Sequence, residues 1–276
     1  MIIDAHQHFW QYNAQKHAWI NDEMKVLKRD FLPADLQSIY RENGIDGCVA
    51  VQADQSEAET DFLLGLAEKY EFIKGVVGWV DLRSPNVESR LAYYAQFSKL
   101  KGFRHIVQNE PDPNFMLGDA FQRGLSLSAE YNFTYDILIF PTQLSAAIET
   151  VSRFPNQAFI LNHIAKPNIK NRVPDQQWKQ QIEQLATHPN VYCKFSGMVT
   201  EAHWQQWKYD DFVPYLDVIF AAFGENRLLF GSDWPVCLLA ADYAETKQIV
   251  AQYLSTKTKS AHAKVFGQNA VQFYSL

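Results

Sequence analysis

The chain has 276 residues, of which 47% are apolar and 20% are charged, a composition typical of a globular protein with a large buried core. The net charge of −6 argues against a nucleic-acid or anionic-membrane partner and favours a small neutral or polar substrate. This length is ordinary for a single α/β barrel, so we expect residues 1–276 to form one domain.

Short apolar runs alternate with amphipathic stretches along the chain. The runs are almost continuously apolar, which is typical of parallel strands that are covered on both faces. Eight strands are predicted, at residues 1–7, 46–53, 73–80, 100–106, 133–139, 158–164, 191–197 and 227–233.

Helical patterns lie between these runs, at residues 33–43, 57–70, 86–100, 141–154 and 175–186. The first begins with Pro33, which suits a helix start, and stops at Gly44, which can cap a helix end. The alternation of strands and helices predicts a (β/α)8 barrel. A doubly wound open sheet is the alternative, but no glycine-rich nucleotide-binding turn follows strand one.

Two longer irregular insertions interrupt the pattern. One covers residues 9–31 after strand one, and the other covers residues 107–118 after strand four. Both follow the carboxyl end of a strand, where barrel enzymes build their sites.

Polar side chains end most of the predicted strands. Asp4, His6 and His8 alternate in strand one, where a regular strand would place them on one face. Because the carboxyl ends of barrel strands meet at one mouth, we expect the strand-end groups to form one cluster. The remaining members are Arg104 and His105 of strand four, Tyr135 and Asp136 of strand five, His163 of strand six, Lys194 and Ser196 of strand seven, and Asp233 of strand eight.

Each of these residues also has a purely structural interpretation. A histidine can be a hydrogen-bonded structural group, Arg104 and Lys194 can pair with carboxylates, and Asp233 can cap a turn before Pro235. Taken together, three imidazoles and a carboxylate can bind a divalent metal. They can also act without a metal, because a carboxylate can deprotonate water while cations stabilise an oxyanion. No serine-hydrolase elbow, P-loop or dinucleotide fingerprint occurs.

Several motifs, in this order and at barrel spacing, resemble the amidohydrolase superfamily. They are "DAHQHFW", "WINDEMKVLKRDFLPADL", "KGFRHIVQNEPDPNFM", "LNHIAKP", "KFSGM", "LLFGSDWPV" and "FGQNAVQFY". The resemblance covers nearly the whole chain and is closest to the amidohydrolase-2 branch of sugar-lactone and pyrone-dicarboxylate lactonases. It implies a distorted TIM barrel with its site at the carboxyl ends of the strands.

The resemblance also bears on metal binding. It implies that His6, His8, His163 and Asp233 occupy positions that bind metal elsewhere in the superfamily. Binuclear members add a bridging Lys or Glu from strand four or five and usually a His that ends strand five, but "FTYDILI" contains neither His nor Lys. One divalent metal, zinc, is therefore a candidate cofactor that we do not expect to be essential.

The activity that the resemblance implies is hydrolysis of a small sugar lactone, such as L-fucono-, L-rhamnono- or L-galactonolactone, in carbohydrate catabolism. Asp233 would be the general base, while His6, His8, His163 and Arg104 would polarise the carbonyl or stabilise the oxyanion. With few cations at the strand ends, an uncharged aldonolactone fits better than a pyrone dicarboxylate. The expected substrate-binding residues are Gln52, Trp79, His105, Tyr135, Asp136, Lys194 and Trp234.

Three alternatives stay open at this point. A zinc-dependent decarboxylase, or another metal-dependent amidohydrolase of the same branch, would share the H-x-H, His and Asp set. A TatD-like metal nuclease is disfavoured by the acidic charge and by the missing strand-five His. A non-catalytic barrel that binds sugars would bind the lactone without turnover.

Cysteine usage and hydropathy give the remaining expectations. Cys48, Cys193 and Cys237 are odd in number and widely spaced, which suits a reducing cytoplasm better than a disulfide framework. Polar residues interrupt the first eight positions, so no signal peptide is evident, and no run approaches the roughly 20 apolar residues of a membrane span. We expect a cytoplasmic enzyme that has a small-molecule substrate and no membrane partner; a homo-oligomer is compatible with the sequence.

Overall fold

The computed structural model describes residues 1–276, and its eight strands form one parallel sheet in chain order. A parallel bridge also joins Gln7, the last residue of the first strand, to Trp234, which follows the eighth strand, and the His8 amide donates to the Trp234 carbonyl at 2.7 Å. The sheet therefore closes into the predicted (β/α)8 barrel rather than the alternative open sheet. The strands are β1 (Ile3–Gln7), β2 (Gly47–Val51), β3 (Ile73–Gly78), β4 (Leu100–His105), β5 (Thr134–Ile137), β6 (Phe159–Leu161), β7 (Val191–Phe195) and β8 (Leu228–Phe230).

Every predicted helix is present, and five further helices occur. Helix α1 begins at Pro33 and ends at Asn43, and the cap residue Gly44 that follows adopts the left-handed conformation (φ 65°) that glycine tolerates best. Among the additional helices, α7 contains Pro214, a residue that weakens the helical pattern in the sequence. The helices are α1 (Pro33–Asn43), α2 (Glu57–Lys69), α3 (Val87–Tyr94), α4 (Asp119–Glu130), α5 (Leu144–Arg153), α6 (Gln176–Ala186), α7 (Tyr209–Phe223), α8 (Tyr243–Ser255), α9 (Lys259–Ala263) and α10 (Asn269–Tyr274).

Two apolar clusters hold the barrel together. The larger has 68 buried residues and lies between strands and helices. The smaller fills the barrel interior with side chains such as Val49, Val77 and Leu229, and it includes Phe273 and Tyr274 of α10. Because α10 closes one end of the interior, the opposite end, where the strands finish, is left for a ligand. None of the helices is long and apolar enough to cross a lipid bilayer.

The two predicted insertions pack over the carboxyl ends of the strands. Residues 9–31 are held by an antiparallel bridge between Trp10 and Phe31 and contain a short 3-10 helix, Asp22–Leu27. Residues 107–118 contain two single 3-10 turns, Val107–Asn109 and Phe115–Leu117. Each insertion thus has local structure of its own at the mouth of the barrel.

The contact between α4 and the loop after β3 gives a test of the packing. A Cβ added at Gly124 would lie 1.9 Å from the Leu82 carbonyl oxygen. We expect Gly124→Ala to lower the free energy of unfolding by about 1–3 kcal/mol, because helix and loop must separate. Gly65→Ala in α2 is the control, since that Cβ meets nothing within 4 Å; it should stabilise the helix by about 0.5–1 kcal/mol. Urea unfolding measures both, and equal midpoints for the two variants would contradict this packing.

Candidate active site

The two ends of the sheet meet through the backbone, and this pairing positions the candidate catalytic carboxylate. The Asp233 amide donates to the His6 carbonyl at 2.8 Å, next to the bond between His8 and Trp234. A register shift within β1, between Asp4 and Gln7, breaks the regular alternation of side chains. Asp4 consequently accepts from Tyr40 of α1 and Tyr243 of α8 in the helix layer, whereas His6 lies inside the barrel mouth.

Left-handed backbone conformations direct the side chains of two further candidate residues. His163 (φ 54°) and Asp233 (φ 58°) both lie in this conformation, although neither is glycine. The chain turns left-handed from His163 to Lys166, so β6 ends three residues earlier than the predicted run. Gly197 faces this turn, and a Cβ there would lie 2.4 Å from His163 Nδ1. Such strained conformations are concentrated at functional sites, where surrounding contacts maintain them.

The four groups converge as the barrel prediction requires. Asp233 Oδ1 lies 3.3 Å from His8 Nε2 and 3.7 Å from Nε2 of both His6 and His163. The Nε2 atoms of His6 and His8 are 3.3 Å apart. All four side chains are at least nine-tenths buried. One carboxylate and three imidazoles thus share one small volume.

Arg104 lies against this cluster and is held on two sides. Its Nη1 lies 3.3 Å from His6 Nε2 and donates to Asn162 Oδ1 at 3.3 Å. Its Nη2 donates to the Gln52 carbonyl oxygen and, at 3.2 Å, to Gln52 Oε1. Burial lowers the pKa of Arg104 to about 10, so the guanidinium stays charged at neutral pH. The site therefore contains a fixed cation beside its histidines.

A second buried cation lies behind His6. Lys194 Nζ donates to Asp136 at 2.5 Å and is 3.4 Å from His6 Nδ1. Asp136 also accepts from Asn162 at 2.9 Å and from the Tyr274 hydroxyl at 2.8 Å. Burial lowers the pKa of Lys194, against the opposing effect of Asp136. This network lies inside the barrel and holds the His6 ring in position through Lys194.

The donor atoms fit one divalent metal ion. His8 Nδ1 must donate to the Val51 carbonyl at 2.7 Å, so the neutral ring has its lone pair on Nε2, facing Asp233 and His6. Burial lowers the pKa of His6 and His8, and that of His163 to about 3. Asp233 opposes this effect at His8 and His163, but the net shift favours the neutral rings that a metal ion needs. One ligand atom each from His6, His8 and Asp233 lies within 4.8 Å of the others. Such a set of nitrogen and carboxylate ligands suits zinc.

A cavity of about 270 Å³ opens above this cluster. Its base includes His8, Arg104, His163 and Asp233, and both insertions contribute walls. From residues 9–31 come Trp10, Trp19 and Met24, and from the second insertion Gln108 and Asn109. The other lining residues are Ala53, Ile106, Leu138, Lys166, Thr200, Glu201, Trp204, Val236 and Leu239.

Fourteen of the eighteen lining residues were not among the sequence candidates, and three of these fourteen bear on substrate binding: Lys166, Glu201 and Trp204. Lys166 belongs to the motif "NHIAKP" but was not singled out there. Glu201 and Trp204 follow the carboxyl end of β7, and this position in the sequence could have indicated that they lie at the barrel mouth. Their side chains face the same space as Asp233.

The structure places the seven predicted substrate-binding residues outside the set that lines the cavity. Trp79 Nε1 donates to His105, whose other ring nitrogen is 2.6 Å from Glu110. The Tyr135 hydroxyl accepts from the His105 amide, and Trp234 is buried. The three remaining residues, Gln52, Asp136 and Lys194, hold Arg104 and His6 in the contacts described above. Direct substrate contact by these seven stays a prediction, and their geometry favours positioning roles.

Comparison with known proteins agrees with this fold. A family model described as Amidohydrolase matches residues 3–276. An L-fucono-1,5-lactonase from Burkholderia multivorans is 38% identical, over 99% of this chain and 96% of its own length. An L-fucono-1,5-lactonase from Burkholderia ambifaria is 32% identical, over 99% of this chain and 95% of its own.

Among solved structures, an amidohydrolase from Burkholderia multivorans with bound zinc superposes with a TM-score of 0.96 at 37% identity. It covers 100% of this chain and 99% of its own. The resemblance seen in the sequence motifs is thereby confirmed. With a matching family model over almost every residue and full-length relatives above 30% identity, this chain belongs to the amidohydrolase family.

Proposed function

We propose that the protein is a lactonase that hydrolyses the ring ester of an uncharged sugar lactone, with L-fucono-1,5-lactone as the first candidate. The observation that carries this proposal is the Asp233 carboxylate, which faces the cavity beside the Arg104 guanidinium. The full-length relatives named L-fucono-1,5-lactonase support the substrate class. The cavity contains cations and carboxylates together, and this balance favours a neutral ring over a dicarboxylate.

Asp233 is suited to accept a proton from water. Burial by itself would raise its pKa, but His163, His8 and Lys166 together lower the pKa below the ordinary value of 3.8. The carboxylate is therefore ionised at neutral pH. Water bound next to it can lose a proton to Asp233 while its oxygen forms a bond to the lactone carbonyl carbon.

The second half of the reaction needs stabilisation of the oxyanion and then a proton for the leaving group. In our proposal Arg104 stabilises the negative oxygen of the tetrahedral intermediate, and His6, His8 and His163 orient the reacting groups. The carbon–oxygen bond of the ring then breaks, and the ring oxygen takes the proton from Asp233. The product is the open-chain aldonic acid, and Asp233 regains its charge.

A zinc ion held by His6, His8 and Asp233, with His163 beside them, would act as a Lewis acid that polarises the lactone carbonyl. The cations Arg104 and Lys194 lie 3.3 Å and 3.4 Å from the two ring nitrogens of His6, and they oppose the binding of a further positive charge. We therefore infer that hydrolysis does not depend on the metal.

A screen of aldonolactones tests the proposed function. L-fucono-, L-rhamnono- and L-galactonolactone are mixed with the protein, and a pH indicator reports acid release above the spontaneous rate. We expect acid release with at least the fuconolactone. Hydrolysis of none of the three would overturn the proposal, and binding without turnover would then point to the sugar-binding alternative. Release of CO₂ from an aromatic acid would favour the decarboxylase.

Removal of metal gives a further prediction. Enzyme treated with a chelator, and verified by metal analysis to hold none, should keep kcat/KM within about threefold of the untreated enzyme. The reason is that Asp233 and Arg104 already supply a base and a fixed charge. A large fall in activity that added zinc restores would show instead that the metal carries the carbonyl polarisation.

A further inference from the structure

The cavity wall contains an ion pair that takes no direct part in the proposed proton transfers and bond-making steps. Lys166 comes from the left-handed turn after β6, and Glu201 comes from a 3-10 turn after β7, Val199–Glu201. Lys166 Nζ lies 3.8 Å from Glu201 Oε1, and the two side chains are only 18% and 22% exposed. Both line the cavity together with Asp233. The pair is thus close to the reacting groups without touching them.

The pair differs from the other buried ions in its hydrogen bonding. Asp4 accepts from the hydroxyl groups of two tyrosines and Ser232 and from two backbone amides, while Lys194 and Asp136 bond to each other directly. The 3.8 Å separation of Lys166 and Glu201 is too long for a hydrogen bond. The neighbouring Thr200 hydroxyl donates to the Gly197 carbonyl at 3.0 Å. Both charged groups therefore keep free hydrogen-bonding capacity toward the cavity.

This arrangement costs free energy unless a ligand forms hydrogen bonds with both charged groups. A carboxylate and an ammonium group that are largely removed from bulk water lose hydration, and attraction at this separation recovers only part of it. Burial raises the pKa of Glu201, and Asp233 adds to this effect while Lys166 opposes it. A ligand that offers both a hydrogen-bond donor and an acceptor would satisfy the two groups together.

We propose that Lys166 and Glu201 determine substrate specificity by binding two adjacent hydroxyl groups of the lactone ring. The ammonium group donates to one hydroxyl oxygen, and the carboxylate accepts from the other hydroxyl. Trp204 lies in the same wall, and its Nε1 is fixed by the Thr200 carbonyl at 2.9 Å, so its ring can cover an apolar face of the sugar. This inference rests on the proposed lactonase function and identifies the part of the substrate that the pair recognises.

The test compares two substrates that share the six-membered lactone ring and differ in its hydroxyl groups and its C5 substituent. Kinetics are measured for Lys166→Met and Glu201→Leu with an aldono-1,5-lactone and with δ-valerolactone, the unsubstituted ring. Loss of a hydrogen bond to a charged group should lower kcat/KM for the aldonolactone by about 10- to 100-fold. Activity on δ-valerolactone should stay within about threefold of the parent. Glu201→Gln keeps an acceptor oxygen, so its loss should be intermediate.

A matched pair elsewhere in the chain provides the control. Lys264 and Glu225 have similar exposure, 28% and 23%, but their charged atoms are 2.5 Å apart and they lie outside the cavity. Lys264→Met and Glu225→Leu should leave both kinetic constants unchanged, with thermal melting as the folding control. A purely structural role of Lys166 and Glu201 would lower the rates on both substrates alike.

The outcomes separate this inference from the proposed function. If the parent enzyme hydrolyses the aldonolactone but the cavity variants match it on both substrates, the inference is wrong and the lactonase function stands. If the parent hydrolyses no aldonolactone, calorimetric titration with the corresponding sugar 1,5-lactam still tests the pair. Binding that weakens at least about tenfold in both variants supports the inference; equal binding, or none, overturns it.

Discussion

Replacing Asp233 by asparagine is expected to lower kcat for lactone hydrolysis by about 10²–10⁴-fold, the usual contribution of a general base. The carboxylate has its pKa lowered by neighbouring groups and is the one ionised carboxylate in contact with the three histidines. Asparagine keeps the shape of the side chain but cannot take a proton from water. The backbone bond from residue 233 to the His6 carbonyl should survive, so the protein should remain folded.

The measurement is kcat on an L-sugar lactone for both proteins, after subtraction of spontaneous hydrolysis, with thermal melting as the folding control. Both enzymes are treated with chelator, because Asp233 is also a candidate metal ligand. Asp81→Asn is the matched substitution, since its exposed carboxylate pairs with Arg83 away from the cavity and should not affect kcat. A folded Asp233→Asn enzyme within about threefold of the parent would show that another group, first of all His163, activates the water.

Arg104→Lys is expected to lower kcat/KM by about 10²-fold, the scale of losing one oxyanion donor. One terminal nitrogen of the guanidinium, Nη1, contacts His6 and Asn162. The other, Nη2, donates to two oxygens of Gln52. The ammonium of lysine is a compact charge that cannot reproduce this fork, so the position of the cation should shift even though its charge is retained.

Arg227→Lys is the matched control for this substitution. Arg227 donates to the carbonyl oxygens of His188, Val191 and Ala186 and does not line the cavity. It should therefore lower the melting temperature without changing kcat/KM at a temperature where the protein is folded. If Arg104→Lys behaves in the same way, Arg104 supports the barrel and does not stabilise the transition state.

The sequence by itself determined the barrel, its strand order and the convergence of His6, His8, His163 and Asp233. Parallel strands buried on both faces are continuous apolar runs, and the helices between them keep a helical period, so both patterns are visible without a structure. Once eight such units close into a barrel, the carboxyl ends must meet. The sequence motifs at and after the strand ends were also enough to indicate the family.

Only the tertiary structure decided which strand-end residues face the cavity. The register shift in β1 separates Asp4 from His6, and left-handed residues redirect His163 and Asp233 beyond their strands. Trp79 and His105 bond to each other behind the wall, while Lys166 and Glu201 line the cavity. The physical reason is that a side chain's direction depends on local dihedral angles and register, and one residue of shift moves it to the opposite face.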